Sequence, residues 1–110
     1  MLENWPRPLV IGHRGASALA PENTLSAFEL ATQMEADAIE FDVKLSSDKQ
    51  VVVIHDPTLE RTTNGRGKVT HMPLALLKDL DAGSKFSPKF AGEKIPTLGE
   101  VFECCGKRIF

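Results

Sequence analysis

The sequence has little net charge, no long hydrophobic run and few cysteines, and each scarcity argues against a class of function. The formal net charge is −2, so there is no broad basic field to attract nucleic acid or an anionic membrane. No stretch approaches the roughly 18 apolar residues of a membrane span, and the start lacks the apolar core of a signal peptide. We therefore expect a cytoplasmic protein with no nucleic-acid partner and no stable membrane insertion.

The two cysteines, Cys104 and Cys105, are neighbours in the sequence, so a disulfide between them would be strained. No histidine or further cysteine lies near them at metal-ligand spacing. We expect two reduced thiols on a helix. The 110 residues, 42% hydrophobic and 25% charged, have the composition of one soluble globular domain.

The first third of the chain has the pattern of a strand, a loop and a helix. Residues 8–12 form a short apolar run that is typical of a strand buried on both faces. Apolar residues recur at spacings of three and four over residues 25–36, and Thr24 can cap that helix. The strand ends in His13 and Arg14, so these side chains would project into a barrel mouth or a sheet crevice.

A hairpin is predicted next. Residues 38–43 alternate with period two, and a turn at residues 46–49 separates them from a second apolar run at residues 50–55. This connection is too short for a parallel crossover, so the two runs should pair antiparallel.

The hairpin would bring charged groups together. A turn symmetric about residues 47 and 48 places Glu40 opposite His55 and Asp42 opposite Val53. Because Glu40 and Asp42 are two positions apart, both carboxylates leave the same face of the strand. This is either a solvent-facing edge or a site for a hard divalent cation, Mg²⁺ or Ca²⁺. A histidine beside a carboxylate can transfer protons near neutral pH.

The rest of the chain continues the β/α alternation after an interruption. Residues 57–94 are rich in turn formers, with one short helical stretch at residues 73–80. Thr97 and Glu100 form a capping box for a helix that ends near Gly106, and residues 107–110 resemble the start of a strand. A parallel sheet needs helices on both faces, and two helices do not cover it. We therefore expect either a fragment or a chain that a partner completes.

Five motifs resemble the glycerophosphodiester phosphodiesterase family in order and spacing. They run over most of the chain: HRG at 13–15, PENT at 21–24, IEFDV at 39–43, VVIHDPTLERTTNG at 52–65 and IPTLGEVF at 95–102. Each motif is short, but their joint occurrence is highly specific. The resemblance implies hydrolysis of glycerophosphodiesters to sn-glycerol 3-phosphate and an alcohol.

The resemblance also implies a fold and a set of roles. The fold is α/β, the N-terminal portion of a TIM (β/α)8-type barrel. Residues 1–110 would be a partial catalytic domain, and residues 57–94 a small region inserted over the barrel mouth. By position in the motifs, the acid/base pair would be His13 and His55, the phosphate ligand Arg14, and the ligands of a divalent cation Glu40 and Asp42.

Two departures from the family pattern leave alternatives open. Gly99 stands where the family usually has an acidic residue, which affects helix stability and no chemistry. The strand beginning at Ile109 would next deliver a third metal-binding glutamate and a phosphate-binding lysine, and neither stands in this sequence. The alternatives are a phospholipase-type activity on a lipid substrate, or a non-catalytic fragment that binds metal, a second copy of itself or a complementing C-terminal half.

Overall fold

The computed structural model describes residues 9–106, so the strand predicted at residues 107–110 lies outside the described part. The elements follow in the order β1 Ile11–His13, α1 Leu25–Gln33, β2 Ala38–Glu40, β3 Val43–Leu45, β4 Val51–Val53, α2 Leu74–Asp79 and α3 Leu98–Cys105, with 3-10 turns at Val69–His71 and Pro88–Phe90.

The chain begins with a parallel β1–α1–β2 unit, as the sequence pattern predicted. The register pairs Ile11 with Ala38 and His13 with Glu40. Helix α1 begins where the Thr24 hydroxyl accepts the backbone N–H of Ala27 at 3.3 Å, the predicted cap. The carboxyl ends of β1 and β2 therefore lie at the same edge of this unit, together with the loop that leads into α1.

Helix α1 ends three residues before the predicted end. Met34 is its C-cap, and Glu35 follows in the left-handed conformation with φ 62°. The N–H of Ala36 then bonds to Ala31 O and that of Glu35 to Thr32 O, both at 3.0 Å. This is the Schellman arrangement, which satisfies the last carbonyls of the helix and turns the chain towards β2.

The predicted continuous strand over residues 38–43 is wrong. Strand β2 ends at Glu40 within the parallel sheet, and β3 begins at Val43 in a separate antiparallel pair with β4. Two factors explain the break. Glu40 completes the ladder to β1, while the backbone N–H of Ile54 bonds to the carbonyl of Asp42 and draws the next residues towards β4.

The predicted hairpin register is also wrong, by one residue. Val43, and not Asp42, lies opposite Val53, and the ladder ends there, so Glu40 does not lie opposite His55. The loop between Leu45 and Val51 has five residues, with Lys49 left-handed at φ 66°. The predicted turn is centred between residues 47 and 48, whereas the five-residue loop is centred on residue 48. Each residue of β3 therefore pairs with a residue one position later in β4 than predicted.

Two hydrophobic clusters divide the described residues. The first cluster lies between α1, α3 and the strands, and its buried members include Phe28, Ile39, Val53 and Val101. The second cluster lies under the excursion after β4, and its buried members include Val52, Leu59, Val69, Leu77 and Ile95. The predicted helical stretch in the excursion is confirmed as α2.

Side-chain contacts attach the excursion to the β/α unit. The carboxylate of Glu93 accepts the hydroxyl of Ser26 at 2.6 Å and its N–H at 3.3 Å, in the first turn of α1. The ammonium of Lys78 donates to Ile95 O at 2.8 Å and to Glu100 at 2.7 Å. These contacts fix the excursion relative to the helices.

The third helix confirms the predicted capping box. Thr97 Oγ1 accepts the N–H of Glu100 at 3.1 Å, and the Glu100 carboxylate accepts the N–H of Thr97 at 2.7 Å. Cys104 and Cys105 are free thiols on this helix, as expected, and burial raises the pKa of Cys105 to about 12. Between residues 9 and 106 no helix is long and apolar enough to cross a membrane.

Candidate active site

The backbone turns sharply where β1 ends. Arg14 and Gly15 are both left-handed, at φ 56° and 80°. A Cβ on Gly15 would lie 2.7 Å from the carbonyl carbon of Ala27, so only glycine allows α1 to approach this closely. The N–H of Arg14 donates to Glu40 O at 2.7 Å and lies 3.3 Å from Glu40 Oε1. The turn therefore directs the Arg14 backbone at the end of β2.

Four of the predicted site residues come together at this edge. His13 Nε2 lies 3.8 Å from Glu40 Oε2, and Arg14 Nε lies 3.5 Å from Asp42 Oδ2. Arg14 Nε is buried, and no acceptor among the described residues completes a hydrogen bond to it. The Arg14 side chain as a whole is 21% exposed, so the guanidinium can meet an anionic group at its accessible end.

Asn23 holds Asp42 from the loop side, and the sequence analysis missed it. Its side chain is buried at 3% exposure, and its Nδ2 donates to Asp42 Oδ2 at 3.1 Å. The Asn23 N–H bonds to Arg14 O at 2.9 Å. The signal that could have indicated it is its place in the PENT motif at residues 21–24.

His55 lies in a different environment from the predicted one. Its partner is not Glu40 but the adjacent Asp56, whose Oδ1 lies 2.8 Å from His55 Nδ1. Asp56 in turn accepts Arg61 Nε at 2.8 Å and Arg61 Nη2 at 3.0 Å. The ring itself is exposed, at 43% of its side-chain surface, so it is free to approach a substrate.

Arg61 connects the two halves of the site. Its Nη1 and Nη2 donate to Glu22 Oε1 and Oε2, both at 2.8 Å. Glu22 Oε2 is also 3.3 Å from Arg14 Nη1. The order Arg14, Glu22, Arg61, Asp56, His55 is called the ion-pair chain below. It links the end of β1 to the end of β4 across the loop before α1.

The opposite charges within the ion-pair chain lower the pKa values of its two carboxyl groups. Hydrogen bonds from Arg61 lower the pKa of Glu22 against the opposing effect of burial. Arg61 first, and His55 second, hold the pKa of Asp56 far below its ordinary value. Both carboxylates are therefore ionised at neutral pH. Glu22, Asp56 and Arg61 were not predicted as site residues, although all three lie within the motifs that resemble the family.

The donor set suits part of a divalent-cation site. Glu40 and Asp42 offer only carboxylate oxygens, the ligands that Mg²⁺ and Ca²⁺ prefer. Within residues 9–106 no group of three or more histidine, cysteine or acidic side chains is arranged to hold a metal. Glu40 and Asp42 are therefore the described residues whose chemistry suits such an ion, and any further ligands would have to come from outside residues 9–106.

A small cavity opens beside the ion-pair chain. Its volume is about 160 Å³, and its lining includes Pro21, Glu22, Arg61, Lys85 and Phe86. The Lys85 ammonium donates to the carbonyl of Glu60. The excursion thus contributes one wall of a cavity whose other wall is the loop before α1.

The family model for glycerophosphoryl diester phosphodiesterases matches residues 13–108. The chain belongs to this family. It is 56% identical over 104 residues to a glycerophosphodiester phosphodiesterase of Caldanaerobacter subterraneus subsp. tengcongensis, covering 94% of the chain and 43% of that protein. It is 45% identical over 109 residues to a glycerophosphodiester phosphodiesterase of Bacillus subtilis, covering 92% of the chain and 37% of that protein.

Solved structures of the family have the same fold over the shared region. The crystal structure of the Agrobacterium tumefaciens glycerophosphodiester phosphodiesterase aligns with a TM-score of 0.90 at 46% identity, over 94% of the chain and 45% of that protein. An Oleispira antarctica phosphodiesterase in complex with the product sn-glycerol-3-phosphate aligns with a TM-score of 0.88 at 48% identity, over 92% and 41% respectively.

The chain thus spans less than half the length of these family members. A parallel β1–α1–β2 unit followed by α3 fits part of a β/α barrel. The described residues contain two two-stranded sheets and no closed barrel. The fold prediction is therefore confirmed in part: a partial barrel fits these elements and the solved structures of the family.

Proposed function

We propose that the protein hydrolyses glycerophosphodiesters to sn-glycerol 3-phosphate and an alcohol. The observation that carries the proposal is the clustering of His13, Arg14, Glu40 and Asp42 at one strand edge, with His55 connected to it through the ion-pair chain. Membership of the family supports it, as does the product complex of the Oleispira antarctica relative.

Each side chain has a role in this proposal. Arg14 binds phosphoryl oxygens through the accessible part of its guanidinium, since its side chain is 21% exposed. One of the two histidines protonates the leaving alcohol, and the other removes a proton from the nucleophile. His13 lies beside Glu40 and His55 beside Asp56, so each ring has a neighbouring carboxylate that can orient it.

Glu40 and Asp42 would hold a divalent cation, Mg²⁺ or Ca²⁺, together with ligands from outside the described residues. When bound, the cation supplies positive charge that neutralises phosphoryl oxygens. Asn23 fixes the Asp42 carboxylate by hydrogen bonding to Oδ2, and the Arg14 guanidinium lies 3.5 Å from the same oxygen and balances its charge.

The domain boundaries and location belong to the same proposal. Residues 1–110 form part of a (β/α)8 barrel, and residues 57–94 are an insertion that forms one wall of the cavity beside the ion-pair chain. The substrate is a small molecule, and the protein acts in the cytoplasm without a nucleic-acid partner.

The test is release of glycerol 3-phosphate from glycerophosphocholine, with added Mg²⁺ or Ca²⁺ and a chelator control. We expect His13→Ala and His55→Ala in the full-length protein to lower kcat by about two to four orders of magnitude. His71→Ala is the matched control, because His71 is an exposed histidine in a 3-10 turn outside the ion-pair chain.

Either histidine variant with wild-type turnover would remove that residue from the mechanism. The same assay on the 110-residue chain separates two possibilities. Chelator-sensitive turnover would require a second copy, or a further residue of the chain, to complete the metal shell, whereas folded but inactive protein would place the missing groups in the remainder of a longer protein.

A further inference from the structure

We propose that Arg61 is a positioning residue that holds His55 in the tautomer with the proton on Nδ1, leaving Nε2 as the atom that exchanges protons with the substrate. The inference rests on the proposed function for its catalytic meaning. Its structural content is separate: one guanidinium fixes the orientation of Asp56, and Asp56 fixes the ring of His55.

The geometry of Arg61 is specific to a guanidinium. Four hydrogen bonds of 2.8 to 3.0 Å leave its three nitrogens, two to Asp56 and two to Glu22. A planar fork can bind two carboxylates in this bidentate manner. A lysine ammonium is a point charge on a flexible stem and cannot reproduce both forks, so Arg→Lys is not conservative here.

Asp56 needs this external anchor. It follows His55 directly in the chain, so its carboxylate could rotate away from the ring without any change in the backbone. Arg61 binds both oxygens of Asp56, one of which is also the partner of His55 Nδ1. The rotation that would release the ring therefore breaks two charged hydrogen bonds.

The tautomer follows from the ionised state of Asp56. An ionised carboxylate only accepts hydrogen bonds, so the 2.8 Å contact requires the proton to lie on His55 Nδ1. Neutral imidazole carries one proton, and Nε2 then has a free lone pair. Among residues 9–106 the His55 ring has no hydrogen-bond partner besides Asp56, so this contact is the one that selects the tautomer.

The second fork gives Arg61 a fixed position relative to the loop before α1. Glu22 accepts Arg61 on both oxygens, and Glu22 Oε2 also lies 3.3 Å from Arg14 Nη1. Arg61 therefore sets the separation between the groups around His55 and those around Arg14. Its loss should disturb proton transfer more than substrate binding, since Arg14 keeps its contact with Asp42.

The experiment uses the full-length protein labelled with ¹⁵N at histidine, at a pH where the imidazole is neutral. In the wild type we expect the ¹⁵N shifts of His55 to report a protonated Nδ1 and an unprotonated Nε2. In Arg61→Lys we expect a mixture of tautomers, a fall in kcat of about 10- to 100-fold, and KM within about a factor of two. Arg66→Lys, an exposed arginine of the same excursion, should match the wild type in every measurement.

Each result decides the inference. A wild type with the proton on Nε2 would overturn it, as would an Arg61→Lys protein with wild-type tautomer and kcat. A lower kcat with an unchanged tautomer would assign Arg61 another role and would also overturn it. If the wild type proves inactive on glycerophosphodiesters, the proposed function fails, but the tautomer measurement still decides the structural claim.

A second variant, Asp56→Asn, tests the selection of the tautomer if Arg61→Lys fails to fold. Asp56→Asn keeps the size of the side chain and the fork between Arg61 and Glu22. The asparagine amide can donate as well as accept, so the ring should again populate both tautomers. A single Nδ1-protonated form in Asp56→Asn would show that the carboxylate does not select the tautomer.

Discussion

Asn23 combines a backbone conformation with a side-chain function that few residues can supply together. Its φ of 57° is left-handed, which asparagine tolerates better than most non-glycine residues. Its amide donates to Asp42 Oδ2, while its carbonyl oxygen lies 3.4 Å from the Asp42 N–H. Glycine would suit the backbone and lose both contacts, whereas alanine would lose the contacts and add strain.

We expect Asn23→Gly to raise the Mg²⁺ or Ca²⁺ concentration that gives half-maximal activity by about 10-fold or more, because Asp42 loses its orienting donor. The measurement is hydrolysis of glycerophosphocholine as a function of metal concentration, with the melting temperature recorded in parallel. Asn64→Gly is the control: Asn64 accepts the N–H of Asp81 in the excursion, so its loss should affect stability alone. Equal metal dependence of Asn23→Gly and wild type would show that the hydrogen bond from Asn23 does not contribute to metal binding by Asp42.

At this scale the sequence predicted which candidate site residues share one edge of the fold, but it did not predict the residues that orient them. His13, Arg14, Glu40 and Asp42 have side chains whose types indicate catalysis, and their positions at strand ends indicate a common edge. Arg61 and Glu22 are 39 residues apart in the sequence. Nothing local distinguishes such a pair from two solvated charges, so their pairing required the three-dimensional structure.

At the scale of secondary-structure elements, the turn that follows helix α1 contains a residue type that is uncommon at its position. Glu35 occupies the left-handed C′ position at φ 62°, where glycine is the common choice. A non-glycine residue costs about 1 kcal/mol in this conformation. The Schellman hydrogen bonds from Glu35 and Ala36 hold it there.

We expect Glu35→Gly to stabilise the protein by about 0.5 kcal/mol, since relief of the left-handed conformation exceeds the added entropy of the unfolded chain. The full-length protein should show a melting temperature higher by about 1–2 °C. Glu35→Ala removes the same exposed carboxylate but keeps a Cβ, so it should give no increase. An equal increase in both variants would attribute the effect to charge and not to the backbone.

The helices were predicted correctly and the register of the β3–β4 hairpin was not, because helix caps are local in sequence and hairpin register is not. The caps at Thr24 and Thr97 are local signals, and each helix has a periodic apolar face. Hairpin register depends on the conformation of the turn, here on the left-handed Lys49 in a five-residue loop. Lysine carries no signal for that conformation, so the one-residue shift was not visible in the sequence.

At the scale of the whole molecule, one side of the β/α unit is apolar and open. Val10, Ile11, Leu19 and Met34 are about half exposed, at 59%, 49%, 55% and 57%, and all four line one open groove beside β1. Within residues 9–106, β1 has one strand partner, β2. Sequence reasoning anticipated this incompleteness, because two helices do not cover both faces of a parallel sheet.

The 110-residue chain on its own should therefore self-associate. Contiguous apolar surface beside an unpaired strand edge favours association between copies. We expect sedimentation velocity to show dimers or larger species that dissociate on dilution, and the double variant Leu19→Lys/Met34→Lys to shift the distribution towards monomer. Leu76→Lys, on the exposed face of α2 outside the groove, should leave it unchanged. A monomeric wild type at high concentration would contradict this expectation, and with it the alternative that a second copy completes the site.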